Sequence, residues 1–179
     1  MTEEQEHEGY GIGIGSLNFD VESEFKPEPL IPNGIYNGTV SQFTFDSERS
    51  ALVWQITLSG NDGVMSDGET PVDGSTVFFR NWLPRPGDEN EYAKNGKGTK
   101  RQSKINMLKQ FMSKMKIDIS TPQKIAQAIE EQSFVGLEVK ATIEITEYQG
   151  IVRNEVRKLE RAAIAGNGSN NYNSNELPF

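Results

Sequence analysis

Hydrophobic and polar positions along the chain divide it into two blocks of strand-like alternation separated by a helical stretch. From Asn33-Gly34, a turn pair, the segment Ile35–Phe45 is rich in β-branched and aromatic residues and predicts a strand, with Gly38 as a bulge or sharp bend. Asp46–Ser50 reads as a turn. Ala51–Leu58 alternates strictly, with Leu52, Trp54, Ile56 and Leu58 on one face and Val53, Gln55 and Thr57 on the other. Residues 59–71 form a loop with two Asp-Gly turns, and Val72–Leu83 predicts a third strand, interrupted at Asp73-Gly74 and stopped by Pro84 and Pro86. A long polar loop, 84–99, then carries Tyr92 in its middle; loops of this length are often functional.

The period then changes. Ile105, Leu108, Phe111, Met112 and Met115 recur at helical spacing within Arg101–Ile117. Thr121-Pro122 opens a second helix, with threonine as N-cap and proline in the first turn, and turns Ile125, Ala128 and Ile129 inward before Gly136. Leu137, Val139, Ala141, Ile143 and Ile145 restore strand alternation. Tyr148–Ile151 is a hairpin turn in which Gly150 supplies positive φ, and Val152–Leu159 returns as the fifth strand.

The predicted order is β-β-β-α-α-β-β: a mainly β domain with a helical insert over 31–161, flanked by tails at 1–30 and 162–179. Five antiparallel strands with that insert match the OB barrel, whose outer face commonly binds oligonucleotides; a small β-sandwich is the alternative. In the N-terminal tail Gly9, Gly11, Gly13 and Gly15 alternate with Tyr10, Ile12 and Ile14, without the strand, glycine spacing and helix of a dinucleotide fingerprint. Leu17, Phe19, Val21 and Phe25 alternate with polar residues, as a short edge strand or as no element at all. Residues 162–175 are an Asn/Gly/Ser-rich tether.

Composition narrows the chemistry. The 179 residues contain no cysteine and one histidine, His7, which excludes disulfides, thiolate catalysis, Cys-ligated metals and a Ser-His-Asp triad. No cofactor or metal is expected. The acids Asp62, Asp67, Glu69 and Asp73 lack calcium-loop spacing, and Gly96–Lys100 lacks the Walker pattern. No stretch approaches the roughly 18 apolar residues of a membrane span, and the acidic start does not read as a secretory leader, so a soluble cytoplasmic protein is expected.

Charge changes the picture most. Net charge is −8, yet residues 1–28 hold eight acids against Lys26 alone, while 94–116 hold eight basic residues and no acid. Such a local field acts over roughly 8–10 Å whatever the total charge. Single-strand binding needs a cationic groove with flat rings on which bases stack. Alternation puts Phe78, Arg80 and Trp82 on one face of the third strand, and an arginine between two aromatics suits a stacking platform better than a core; Phe79 goes inward, and Trp54, among Leu52, Ile56 and Leu58, reads as core. The candidate nucleic-acid-binding residues are therefore Phe78, Arg80, Trp82, Arg85, Tyr92, Lys94, Lys97, Lys100, Arg101 and Lys104. At the C-terminus Glu176, Leu177, Pro178 and Phe179 form a partner-binding tip of the carboxylate-capture kind.

With these landmarks the chain resembles phage-encoded OB-fold single-stranded DNA-binding proteins. The matching motifs are Pro32–Tyr36 (Pro-Asn-Gly-Ile-Tyr), Leu52–Ile56 (Leu-Val-Trp-Gln-Ile), the Lys-rich helix after the third strand, the Thr121-Pro122 helix start and Glu147–Gly150 (Glu-Tyr-Gln-Gly). The tip is similar to that of bacterial single-stranded DNA-binding proteins, though Glu176 is its only nearby acid. The resemblance implies sequence-independent binding of single-stranded DNA in phage replication, recombination or repair in the host cytoplasm. It also implies recruitment of replication and recombination proteins through the tip, with homo-oligomerisation open. The competing expectations are an OB-like protein-interaction or virion-accessory domain, and a nuclease using the 62–73 acids.

Overall fold

Residues 13–163 are described by the structure, a computed structural model. Five strands form one antiparallel sheet in the order β3-β2-β1-β4-β5: β1 Gly34–Asp46, β2 Ala51–Leu58, β3 Thr76–Trp82, β4 Glu138–Tyr148 and β5 Ile151–Arg161. The helices are a single turn, α1 (Val21–Glu24), and two longer ones between β3 and β4, α2 (Lys100–Met115) and α3 (Pro122–Glu131). The mainly β class with a helical insert stands as expected. The edge strands β3 and β5 face each other across a cleft, and no ladder pairing joins them.

Two bulges reconcile strand periodicity with the core. Val40 and Phe43 are both buried although three residues apart. Ser41 is left without a partner between the Val40–Ile56 and Gln42–Gln55 pairs, which resets the alternation. Likewise Val156 and Leu159 both face inward because Arg157 is the extra residue between the Ile143–Val156 and Thr142–Lys158 pairs. The bulge in β1 is thus at Ser41 and not at Gly38. Gly38 answers a different need: a Cβ there would lie 2.6 Å from Ile56 Cγ2 and 3.0 Å from the Thr57 carbonyl oxygen.

The third strand begins at Thr76, not Val72. Gly74 has φ 89°, Val72 is buried as a plug, and the Asp73 carboxylate accepts the Asn61 backbone N–H at 3.0–3.1 Å. Residues 72–75 are therefore a turn. The 84–99 loop is also more ordered than expected, with a 3-10 turn at Asp88–Asn90 and a small bridge between Tyr92 and Thr99. Leu17–Phe25 adds no strand. Asp20 instead caps the single turn α1, accepting N–H groups of Glu22 and Ser23 at 3.0 and 3.4 Å.

Aromatic rings fill the core. Trp54 contacts Phe43 (centroids 4.4 Å apart), Phe134 (5.3 Å) and Phe111 (5.4 Å), and Phe111 stacks on Phe79 at 5.3 Å. The buried indole Nε1–H donates to Asn81 Oδ1 at 2.7 Å, so the one polar side chain on the inner face of β3 is satisfied. Thr99 and Thr121 cap α2 and α3 by accepting the N–H groups of Gln102 and Lys124. Gln132, in the left-handed region at the end of α3, donates from Nε2 to the Phe43 carbonyl and accepts the Phe43 N–H, tying the helix to the free edge of β1.

Candidate nucleic-acid interface

The alternation of β3 decides which side chains face the cleft. Val77 and Asn81 are buried, Phe79 is half-buried against Phe111, and Phe78, Arg80 and Trp82 point outward, with Phe78 47% and Trp82 48% exposed. Opposite them, β5 supplies Arg153, Glu155 and Arg157 to the same cleft, whose volume is about 650 Å³. A narrower extension of about 170 Å³ continues between β3 and α2, past Met107 and Lys114, and shares Arg80, Trp82 and Arg157 with the main cleft. Exposed rings and guanidinium groups thus meet along one open trough.

Its electrostatics are uneven. Arg157 is held by Glu144 at 2.9 Å and Glu155 at 3.5 Å. Arg80, Arg153 and Lys114 have no ion-pair partner among the described residues. Within the cleft they are the cations most available to an anionic ligand, since no ion-pair partner must be displaced first.

The basic run 94–116 is divided by the fold. Lys104 lines the narrow extension, but its Nζ donates to Asp88 Oδ2 at 2.7 Å and to the Leu83 carbonyl at 3.3 Å. That ammonium, with the Arg85 backbone N–H, holds the Asp88 carboxyl below the usual carboxylate range. Lys100 pairs with Glu91, which raises its pKa. Arg85 donates from Nη2 to the Glu48 carbonyl at 3.0 Å, bracing the 84–90 loop to the β1–β2 turn. These three side chains already have partners within the protein. Tyr92, Lys94, Lys97 and Arg101 line neither part of the cleft; Tyr92 is exposed on the bridged loop before α2, and Lys94, Lys97 and Arg101 have no ion-pair partner among the described residues. Glu176–Phe179 lie outside the described residues.

Met107, Arg153 and Arg157 lie outside the residues that charge and alternation singled out, whereas Lys114 belongs to the basic run 94–116 and only its place in the cleft is set by the fold. The signal for Arg157 is a break in the Val156/Leu159 alternation, which betrays a bulge; Arg153 needs the knowledge that β5 lies opposite β3. Among the described residues no group of three or more acids or histidines is placed to hold a metal ion. Asp67 instead accepts the N–H groups of Glu69 and Thr70, and Asp73 those of Asn61. No described helix is long and apolar enough to cross a membrane.

Fold and site together define a class: a five-stranded antiparallel β protein with an open cleft combining unpaired cations and exposed rings. No family model matches the chain, and no curated protein matches it.

Proposed function

We propose that the protein binds single-stranded DNA without sequence preference, as an OB-type domain, and works by binding rather than by bond chemistry. The observation that carries this reading is the outward triplet Phe78-Arg80-Trp82 facing Arg153 and Arg157 across an open cleft. Rings of this kind offer stacking worth about 1–3 kcal/mol per base, and the interleaved cations meet the phosphates between stacked bases. Base edges are not read, because stacking accepts any π-face. The sheet order, with β3 opposite β5 and the helices inserted between β3 and β4, supports the OB reading. The resemblance described above supports a place in phage replication or recombination, with Glu176–Phe179 recruiting partner proteins.

Titration with an oligo-dT strand, followed by tryptophan emission, tests the proposal. Trp54 is fully buried, so a change in emission reports Trp82. Quenching at low salt that weakens as salt rises is expected. Unchanged emission and no retardation in a gel at low salt would overturn it, and would leave a protein-interaction domain as the better reading.

A further inference from the structure

The chain leading into β1 starts from the cleft itself. Leu30 exchanges hydrogen bonds with Ser66, and Asn154 of β5 grips Ile31 from both sides, at 2.8 Å to its N–H and 2.7 Å to its carbonyl. Pro29 and Ile31 therefore line the cleft beside Ser75 and Thr76. The segment just before this anchor, residues 17–28, carries Asp20, Glu22, Glu24 and Glu28 against one lysine. Its large apolar side chains find no cover: Phe19 is 65% and Phe25 71% exposed. Carboxylates thus alternate with rings on a tether fixed at one end of a trough that offers unpaired cations and rings.

We infer that the cleft also takes an acidic aromatic peptide, and that its occupant is this chain's own segment 17–28, folded back from Pro29. Reach permits it. Phe25 lies four residues from Pro29, about 13 Å when extended. Phe19 lies about 25 Å away with the α1 turn retained, while β3 is about 20 Å long. The tether makes the encounter intramolecular, so weak individual contacts suffice. In the described arrangement the segment stands clear of the cleft, which is the open state. The docked state places carboxylates where Arg80, Arg153 and Lys114 would otherwise hold phosphates. Docking itself does not depend on the nucleic-acid reading; its effect on DNA affinity does.

The full chain is compared with its F19S/F25S and E22Q/E24Q/E28Q variants, whose altered side chains are all exposed and make no core contact. Acrylamide quenching of Trp82 at low salt is expected to rise at least twofold in both variants, with the difference fading at high salt. Oligo-dT affinity is expected to rise about tenfold, a typical size for coupling between two ligands of one site. Equal quenching in all three proteins overturns the docking, whether or not DNA binds. Unequal quenching with no DNA binding by any protein keeps the docking and removes the DNA-binding function instead.

Discussion

Replacing Arg80, Arg153 and Lys114 together by glutamine removes the cleft cations that have no ion-pair partner among the described residues. For single strands each phosphate neutralised contributes about 0.7 to the slope of log affinity against log salt. Three such contacts contribute about 2. Over a fourfold rise in salt the parent protein should therefore lose about 15–20-fold more affinity than the variant. Fluorescence anisotropy of a labelled dT oligonucleotide at four or five salt concentrations measures both slopes. The control is K109Q/K116Q, two cations of the same basic run that line neither part of the cleft; it should keep the parent slope. Arg157 is left in place because Glu144 and Glu155 already neutralise it. A triple variant that keeps the parent slope would rule out the cleft as the phosphate path, and a control that flattens the slope would place that path on the other face of α2.

Trp82→Ala should weaken oligonucleotide binding by about 1–3 kcal/mol, with little change in thermal midpoint because the ring is half-exposed; a large drop in midpoint would show that Trp82 is structural. Trp54→Phe should cost about 2–4 kcal/mol in denaturant unfolding, since it opens a gap in the ring cluster and leaves Asn81 Oδ1 buried without a donor. Adding Asn81→Leu should recover part of that loss, and a double variant no better than the single one would show that the hydrogen bond matters little. Asp118 receives Lys124 Nζ at 2.6 Å together with the Ser120 hydroxyl, and its carboxyl is held down at about 2. A carboxyl with a lowered folded-state pKa stabilises the fold above its unfolded value, and that contribution is lost as pH falls through the folded value. Thermal midpoints should accordingly drop between pH 4 and 2, less steeply in Asp118→Asn; equal slopes in both proteins would remove this ion pair as the cause.

The period of the hydrophobic pattern determined most of the elements. Leu52–Leu58 could only alternate as a strand half-facing a core, Leu108–Met115 could only form a helix face, and Thr121-Pro122 marked a helix start by its own capping chemistry. The outward set Phe78, Arg80 and Trp82 followed from period two and from the cost of burying an arginine between two rings. Three things were decided by tertiary structure alone. The bulges at Ser41 and Arg157 are single-residue insertions relative to a partner strand: a break in alternation signals one, but which residue is extra is settled only once the register is set. The division of the basic run depends on acids brought from elsewhere: Asp88 takes Lys104 and Glu91 takes Lys100, because the bridged 84–99 loop folds against the start of α2. The far wall of the cleft, Arg153 and Arg157, comes from a strand some seventy residues after β3, which only the sheet order sets opposite it. Local periodicity fixes which way a side chain points; which charges it meets is a property of strands and loops distant in sequence, and only the folded chain brings them within reach of one another.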